Sequence, residues 1–192
     1  MPENDGVIEL ANKRFIIIGL QGSGKTTLAK SILRGVDRHI VYDPMGEYPA
    51  NQGFRNFVPD DMDSPAEMDD FIGNVVIPWQ PDLFILDEGS RYIPHNPKRL
   101  PRNLSRMVDL SRHWAISWGV IARRPSQIHT DVRELAHYIF VFGLHGSNDI
   151  KTLDNWYAGM GQVVRSLPEY HFAVLENGNR LTTHIPVAHN VE

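Results

Sequence analysis

The amino-acid sequence predicts an α/β fold built on a mainly parallel sheet with helices on its faces. Short apolar runs of strand type alternate along the chain with segments of helical periodicity, an order typical of parallel sheets. Two final strand-like runs flank Asn177-Gly178, a dipeptide that favours a tight hairpin turn. The sequence therefore predicts five parallel strands followed by a C-terminal β-hairpin.

Each predicted strand is a short apolar run bounded by polar or turn-forming residues. These runs cover residues 14–19, 39–43, 82–87, 118–122 and 137–142. The segments with helical character cover residues 26–33, 64–71, 103–112, 132–136 and 149–157. Ser64 and Pro65 are typical of a helix start, and Glu67 is placed to complete a capping box with Ser64.

Length and composition predict one intracellular domain. We expect a single domain over residues 1–192, with an α/β core over about 14–145 and a C-terminal helix and hairpin over about 149–187. The chain has no cysteine, which excludes a disulfide framework and a thiolate metal site. Met1–Gly6 is acidic and polar, unlike a signal peptide, and no apolar run approaches the roughly 20 residues of a membrane span.

Positive charge is concentrated in one segment of an otherwise acidic chain. The net charge of −4 alone argues against a nucleic-acid binder. Between Arg91 and Arg124, however, eight basic residues stand against a single acid, Asp109. Such a segment is suited to DNA, and it is equally suited to a solvated basic face without a partner.

A phosphate-binding motif follows the first predicted strand. The run Gly19-Leu-Gln-Gly-Ser-Gly-Lys-Thr26 matches G-x-x-x-x-G-K-[ST], with a strand before it and a helical segment after it. Lys25 is expected to reach the β- and γ-phosphates, and the Thr26 hydroxyl to bind Mg²⁺. The predicted nucleotide contacts are Gly19, Gln21, Gly22, Ser23, Gly24, Lys25, Thr26 and Thr27.

Two adjacent acids end the third predicted strand and indicate hydrolysis. Asp87 is expected to hold Mg²⁺ through water, and Glu88 to polarise the attacking water. One predicted strand, residues 39–43, lies between the P-loop strand and this acidic strand in sequence. That order favours the RecA-like (ASCE) P-loop NTPases, and the lack of an Asn-Lys-x-Asp guanine motif favours ATP.

With these motifs, the sequence resembles the FtsK–HerA superfamily of DNA-pumping ATPases. Val41–Tyr48 is similar to the Asp-Pro-x-Gly-Glu-Tyr segment of HerA-type proteins. Residues 104–117 resemble the helix and arginine before the sensor strand, and residues 121–126 resemble that strand's Thr-Gln-Arg-Pro-Ser ending. Within the superfamily, the chain looks most like the genome-packaging ATPases of tailless, internal-membrane icosahedral viruses of bacteria and archaea.

The resemblance implies an ATPase that moves double-stranded DNA into a preformed capsid. It implies ATP and Mg²⁺ as cofactors, a homo-oligomeric ring of six subunits, and capsid or membrane vertex proteins as partners. The site of action would be the host cytoplasm or the virion. Three alternatives remain open: a HerA-type cellular or plasmid translocase or helicase, a nucleotide-gated assembly protein that does not pump DNA, and a small-molecule kinase.

The resemblance also assigns roles to three arginines. Arg112 is the candidate that completes the neighbouring subunit's active site, and its alternative role is to complement a helix dipole. Arg123 stands where the family has glutamine and is the candidate γ-phosphate sensor, although a guanidinium donates hydrogen bonds and cannot accept them. Arg124 matches the family arginine before Pro-Ser. The structural alternative pairs one of the two with an acid such as Asp131 or Glu134.

The remaining candidates lie in loops that follow strands. Lys98, Arg99 and Arg102 belong to a proline-rich loop after the acidic strand, where they are candidates for sequence-independent DNA contacts. The alternative is a plain surface or subunit-interface loop. Glu47 is expected either to act at the γ-phosphate or to brace a neighbouring subunit.

Overall fold

A computed structural model describes residues 8–187 of the protein, so both ends of the predicted domain, including Met1–Gly6, lie outside the described residues. The strands are β1 (Arg14–Ile18), β2 (His39–Tyr42), β3 (Asn56–Phe57), β4 (Leu83–Leu86), β5 (Ser117–Ala122), β6 (Tyr138–Phe142), β7 (Phe172–Glu176) and β8 (Arg180–His184). The helices are α1 (Lys25–Arg34), α2 (Pro65–Phe71), α3 (Ile77–Trp79), α4 (Arg102–Leu110), α5 (Thr130–Glu134), α6 (Ser147–Trp156) and α7 (Met160–Arg165).

The strands form one sheet in the order β3-β2-β4-β5-β1-β6-β7-β8. The first six are parallel, and β7 and β8 are antiparallel to their neighbours. Strand β5 lies between the P-loop strand β1 and the acidic strand β4, which is the RecA-like arrangement, so the predicted fold class is confirmed. Three elements were not predicted: β3, which has only two residues, α3, which has three, and α7, which Gly159 separates from α6 with a φ of 83°.

Both faces of the sheet are covered, because successive residues of each strand point to opposite sides. In β1, Phe15 and Ile17 join one apolar cluster, whereas Ile16 and Ile18 join the other. The first cluster includes Leu28, Ala29 and Leu33 of α1, and the second includes buried residues of α2, α4 and α6. Strands buried on two sides explain the continuous apolar runs of the sequence.

A glycine in β5 receives an aromatic ring from β1. Phe15 is the register partner of Gly119, and a Cβ atom at Gly119 would overlap the Phe15 ring. The ring also meets Phe140 of β6 edge-on, with 6.1 Å between the ring centroids. The alignment of the two central strands is therefore fixed by a ring on one and a missing side chain on the other.

One helix-capping prediction needs correction, and helix α4 has a cap that the sequence analysis did not predict. Helix α4 begins at Arg102, and the carboxylate of Asp69 in α2 accepts the backbone N–H groups of Asn103 and Leu104 at 2.8–3.2 Å. Ser64 does cap α2, but the carboxylate of Glu67 accepts the N–H groups of Asp60 and Asp61 and leaves the capping box open. In both cases, a contact with a separate segment of the chain replaces the local one.

The C-terminal hairpin is confirmed. Asn177 and Gly178 both have positive φ, 47° and 68°, and the Asn179 N–H closes the turn on the Glu176 carbonyl oxygen at 3.0 Å. Because β7 runs antiparallel to β6, the open end of the hairpin lies beside the carboxyl ends of the parallel strands. Within residues 8–187, no helix combines the length and apolarity that a membrane crossing requires.

His137 links β1 and β6 and makes the stability of the fold depend on pH. Its ring Nδ1 accepts the backbone N–H of Arg14 at 3.2 Å, and the backbone N–H of His137 donates to the Arg14 carbonyl oxygen at 2.7 Å. Burial lowers the pKa of His137, and the positive charges of Arg14, Lys13 and Arg112 lower it further. Below the ordinary histidine pKa of about 6.5, the unfolded chain therefore takes up a proton that the folded chain resists, and stability falls.

We predict that His137→Asn flattens the decrease in unfolding free energy between about pH 7.5 and 5.5, because asparagine keeps an acceptor and does not titrate. Urea unfolding at several pH values measures it. His145→Asn, at an exposed histidine, is the control that should keep the wild-type slope. Equal slopes for wild type and His137→Asn would contradict the prediction.

Candidate active site

The P-loop folds tightly between β1 and α1. The Gly19 N–H donates to the Ala122 carbonyl oxygen of β5 at 3.2 Å, and the Ser23 N–H donates to Leu20 at 3.2 Å. The Lys25 ammonium lies across the loop and donates to the Leu20 carbonyl oxygen at 2.9 Å. Partial burial lowers the pKa of Lys25. The loop and its lysine thus form one compact cationic unit, as the motif predicts.

Two glycines give the loop its shape. Gly22 and Gly24 have φ of 76° and 107°, values that favour glycine and let successive N–H groups turn toward an anion. Lys25, Thr26 and Thr27 follow as the first turn of α1, whose N–H groups have no partner within the helix. The arrangement is suited to the phosphates of a nucleotide.

Asp87 and Glu88 lie where β4 ends. Asp87 is only 4% exposed, and its carboxylate accepts the Glu88 N–H at 2.7 Å. Burial raises the pKa of Asp87 to about 6. Glu88 has a φ of 48°, a left-handed conformation that non-glycine residues rarely adopt and that is often found at functional sites. These two acids reach the P-loop edge because β5 alone separates β4 from β1.

The segment after β2 brings a third acid to the P-loop. The fully buried carboxylate of Asp43 accepts the N–H groups of Glu47 and Tyr48 at 2.9 and 3.0 Å, and the Asn56 amide at 2.9 Å. Held this way, Glu47 accepts the Thr26 hydroxyl at 2.8 Å. Glu47 therefore lies beside Thr26 of its own chain, and both of its predicted roles stay predictions.

The two arginines after β5 form ion pairs with acids that the sequence analysis did not name as their partners. Arg123 donates through Nε and Nη2 to both carboxylate oxygens of Glu88 at 3.1–3.3 Å. Arg124 donates to Asp149 at 3.1 Å. The structural alternative, an ion pair, is therefore seen for both arginines, but the two acids named for it, Asp131 and Glu134, pair with their own neighbours, His129 and Arg133. Arg123 meets Glu88 because the end of β5 lies beside the end of β4.

Arg112 lies at the opposite edge of the sheet from the P-loop. It belongs to a 3-10 turn, Ser111–Trp114, that precedes β5, so the predicted helix over 103–112 ends early. Its charge lowers the pKa of both Arg14 and His137, which places it beside the amino ends of β1 and β6. In its own chain, Arg112 is remote from Lys25, and its predicted action on a neighbouring subunit stays a prediction.

The basic loop lies on the P-loop side of the sheet. It leaves the carboxyl end of β4, and His129 Nε2, in the segment after β5, lies 2.9 Å from the Lys98 carbonyl oxygen. The side chains of Lys98, Arg99 and Arg102 are exposed, and within residues 8–187 none of them forms an ion pair. The structure thus leaves all three charges available at the surface.

Four further residues complete a cleft of about 490 Å³ over the P-loop. Phe142, Tyr170, Pro186 and Val187 line it together with Gly22, Gly24, Lys25, Thr26, Thr27 and Glu47. Sequence reasoning missed the four because they carry no motif and lie apart in the C-terminal third of the chain, at the end of β6, before β7 and after β8. The one available signal was the hairpin itself, whose open end had to lie beside β6.

Oxygen atoms dominate the possible metal ligands. Thr26, Asp87 and Glu47 offer a hydroxyl and two carboxylates, the donor type that Mg²⁺ prefers. Among residues 8–187, no three or more His, Cys, Asp or Glu side chains gather into a metal-binding group. The residues therefore fit a Mg²⁺ ion that takes part of its coordination from nucleotide phosphates, as is usual for this ion.

We predict that Asp87→Asn stabilises the metal-free protein at pH 8, because the pKa of about 6 means that folding opposes ionisation of this carboxyl. The expected gain is about 2–3 kcal/mol in unfolding free energy. Asn keeps the oxygen that accepts the Glu88 N–H. Urea unfolding in the presence of EDTA measures the difference.

Asp43→Asn is the matched control, since Asp43 is equally buried but accepts three hydrogen bonds. An asparagine at this position would turn its NH₂ group toward another N–H donor, and we expect the unfolding free energy to fall by about 1–3 kcal/mol. Destabilisation by Asp87→Asn would show that the Asp87 charge is compensated in the folded protein.

No family model and no curated protein matches the sequence. Solved structures do match it in fold. The genome packaging NTPase B204 from Sulfolobus turreted icosahedral virus 2, in complex with AMPPCP, is 16% identical, with a TM-score of 0.75 over 91% of this chain and 98% of that chain.

Two other solved structures extend the comparison. B204, the DNA-packaging ATPase from Sulfolobus Turreted Icosahedral Virus, is 15% identical, with a TM-score of 0.78 over 94% of this chain and 100% of that chain. VirB4 of Thermoanaerobacter pseudethanolicus is 10% identical, with a TM-score of 0.70 over 92% of this chain and 90% of that chain. The chain therefore has the RecA-like α/β P-loop NTPase fold that these proteins share, as its sequence predicts.

Proposed function

We propose that the protein is an ATP-hydrolysing translocase that packages double-stranded viral DNA into a preformed capsid. The observation that carries the proposal is the meeting of the P-loop, Asp87 and Glu88 at one sheet edge, with β5 between their strands. The likeness in fold to B204, a DNA-packaging ATPase, over nearly the whole of both chains supports the finer assignment.

Nucleotide binding follows from the P-loop geometry. Backbone N–H groups at Gly22–Thr27 and the dipole of α1 would hold the phosphates, and Lys25 would move from Leu20 to the β- and γ-phosphates. Thr26 and Asp87 would hold Mg²⁺, and Glu47 would orient the Thr26 hydroxyl. When bound, Mg²⁺ supplies positive charge beside the β- and γ-phosphates.

Hydrolysis requires a water molecule positioned in line with the γ-phosphate. Glu88 would accept a proton from this water while the water oxygen attacks the γ-phosphorus and the bond between the γ-phosphorus and ADP breaks. The Glu88 carboxylate is held at both oxygens by Arg123. The Arg123 guanidinium, 43% exposed, would then have to turn at least partly from Glu88 toward the γ-phosphate. This movement would link the sensing of nucleotide to the release of Glu88, the general base.

DNA binding would use the exposed basic loop. Lys98, Arg99 and Arg102 carry three charges without ion-pair partners in the described part of the chain, at the edge where the nucleotide binds. Contacts of this kind address phosphates and carry no sequence information. They are therefore suited to a motor that must move a genome of any sequence.

Assembly into a ring would bring Arg112 into use. The edge that carries Arg112 is opposite the P-loop, so only another subunit's nucleotide could meet it. An arginine supplied in this way is worth about 10³–10⁵ in rate. We accordingly propose a homo-oligomeric ring, of six subunits, that docks on capsid or membrane vertex proteins in the host cytoplasm or the virion.

We predict that double-stranded DNA stimulates ATP hydrolysis, and that neutralising Lys98, Arg99 and Arg102 to glutamine removes this stimulation while basal turnover persists. DNA affinity should weaken, and the slope of log affinity against log salt should shrink by roughly 0.9 for each lost phosphate contact. Phosphate release and DNA titrations at several salt concentrations measure both effects.

The matched control neutralises Lys151, Arg165 and Arg180, three exposed cations on α6, α7 and β8, and should leave DNA binding near the wild-type value. A rate of ATP hydrolysis that DNA does not change would favour a nucleotide-gated assembly protein. DNA stimulation that survives the loop variant would place the DNA contacts elsewhere. Stimulated turnover with no uptake of DNA by capsids would favour a HerA-type translocase.

We predict that Arg123→Ala lowers kcat by roughly a hundred- to a thousandfold, with KM changed less than about threefold, because a cation is lost where phosphoryl charge develops. Arg123→Gln, which restores the family residue, should retain more activity than alanine. Steady-state kinetics with ATP measures the series.

Arg123→Lys separates charge from geometry, since lysine keeps the charge and lacks the planar fork that reaches both Glu88 oxygens. Activity of the lysine variant near that of alanine would indicate that the fork matters. A wild-type kcat in Arg123→Ala would limit Arg123 to the ion pair with Glu88.

A further inference from the structure

A strained tyrosine stands beside the P-loop. Tyr170 is the third residue of a turn that closes with the His171 N–H on the Pro168 carbonyl oxygen at 3.1 Å. Its φ of 61° is the left-handed conformation that glycine and asparagine favour at this turn position. A bulky aromatic residue in this conformation is uncommon, and such outliers cluster at ligand sites.

The tyrosine ring is exposed as well as strained. Tyr170 keeps 49% of its surface accessible, and its side chain is not part of either apolar cluster. Core packing therefore does not explain why an aromatic residue occupies the position. A ligand that stacks on the ring does explain it.

The ring faces the nucleotide cleft. A Cβ atom placed on Gly24, the last glycine of the P-loop, would lie 3.7 Å from Tyr170 Cδ1 and 3.1 Å from Phe142 Cε1. The same cleft of about 490 Å³ includes Lys25, Thr26 and Thr27 on one side and Tyr170, Phe142, Pro186 and Val187 on the other. A molecule whose phosphates lie on the P-loop has this second wall within reach.

The C-terminal hairpin builds the second wall from its open end. Tyr170 precedes β7, and Pro186 and Val187 follow β8. The rings of Phe172 and His184 stack at 5.4 Å with an interplanar angle of 7°, and the two residues are register partners. This pair ties the start of β7 to the end of β8 and holds both sides of the wall together.

We propose that Tyr170, with Phe142, Pro186 and Val187, forms the nucleobase site of the protein. The inference rests on the proposed function, because it assumes a nucleoside triphosphate on the P-loop. The base stacks on the exposed Tyr170 ring and is covered by the apolar residues after β8. The left-handed conformation of Tyr170 directs its ring toward Gly24.

The chemistry of this wall makes it insensitive to the identity of the base. Its side chains are aromatic or apolar, and the Tyr170 hydroxyl is their single polar side-chain group among the described residues. Stacking accepts any base, because every base has a π-face, whereas discrimination requires hydrogen bonds to the base edge. The substrate class is accordingly nucleoside triphosphates in general, with ATP used where it is the most abundant.

The test measures binding of three probes to the full chain by calorimetry with Mg²⁺: AMPPCP, GMPPCP and inorganic tripolyphosphate. Tyr170→Asn removes the ring and inserts a residue that tolerates the left-handed backbone. We expect it to weaken AMPPCP and GMPPCP by on the order of tenfold to a hundredfold, the loss typical of a removed aromatic stack. Tripolyphosphate affinity should change less than about twofold.

Tyr170→Phe is the conservative control and should bind AMPPCP within about threefold of wild type, since the ring remains. AMPPCP and GMPPCP should bind wild type within about tenfold of each other. Unchanged AMPPCP affinity in Tyr170→Asn, or a preference between the two nucleotides above about a hundredfold, would overturn the inference and leave the proposed function standing. Failure of wild type to bind any of the three probes would overturn both.

Discussion

Four carboxylates lie where the parallel strands end, and they differ in how the fold compensates their charge. Asp43 is compensated by three hydrogen-bond donors, Glu47 by the Thr26 hydroxyl, and Glu88 by the guanidinium of Arg123. Asp87 is buried and accepts the Glu88 N–H, and its burial raises its pKa to about 6. The least compensated charge thus stands at the position assigned to the metal. A cation bound at Asp87 would relieve the cost of burying this charge.

The segment after β2 shows how one buried acid organises a site without touching a ligand. Asp43 fixes the backbone of Glu47 and Tyr48, and Glu47 in turn holds the Thr26 hydroxyl. The end of β2 and the first turn of α1 are therefore joined by two hydrogen bonds in series. The charge of Asp43 is satisfied within the segment, and the carboxylate of Glu47 lies beside Thr26, where it would face a bound cation.

Local patterns predicted most of the sheet and the P-loop, because apolar runs and glycine spacing depend on neighbouring residues. The contacts that escaped prediction join distant segments. Asp69 accepts the backbone N–H of Asn103, 34 residues later, and Arg123 pairs with Glu88 across 35 residues. Strand β3 has too few residues to form a pattern, and the Tyr170 wall depends on where the hairpin folds back. The sequence thus predicted where the P-loop and the two acids after β4 lie, whereas the partners of the arginines and the residues opposite the P-loop depend on how distant segments meet.

The ring of Phe15 in the space left by Gly119 has a mechanical consequence for a motor. A slip of one residue between β1 and β5 would press the ring against a side chain, so these strands resist sliding. The P-loop extends from one strand and Arg123 from the other, and both therefore belong to a single stiff body. In the proposed motor, an ATP-driven movement would therefore be carried by the loops around this body.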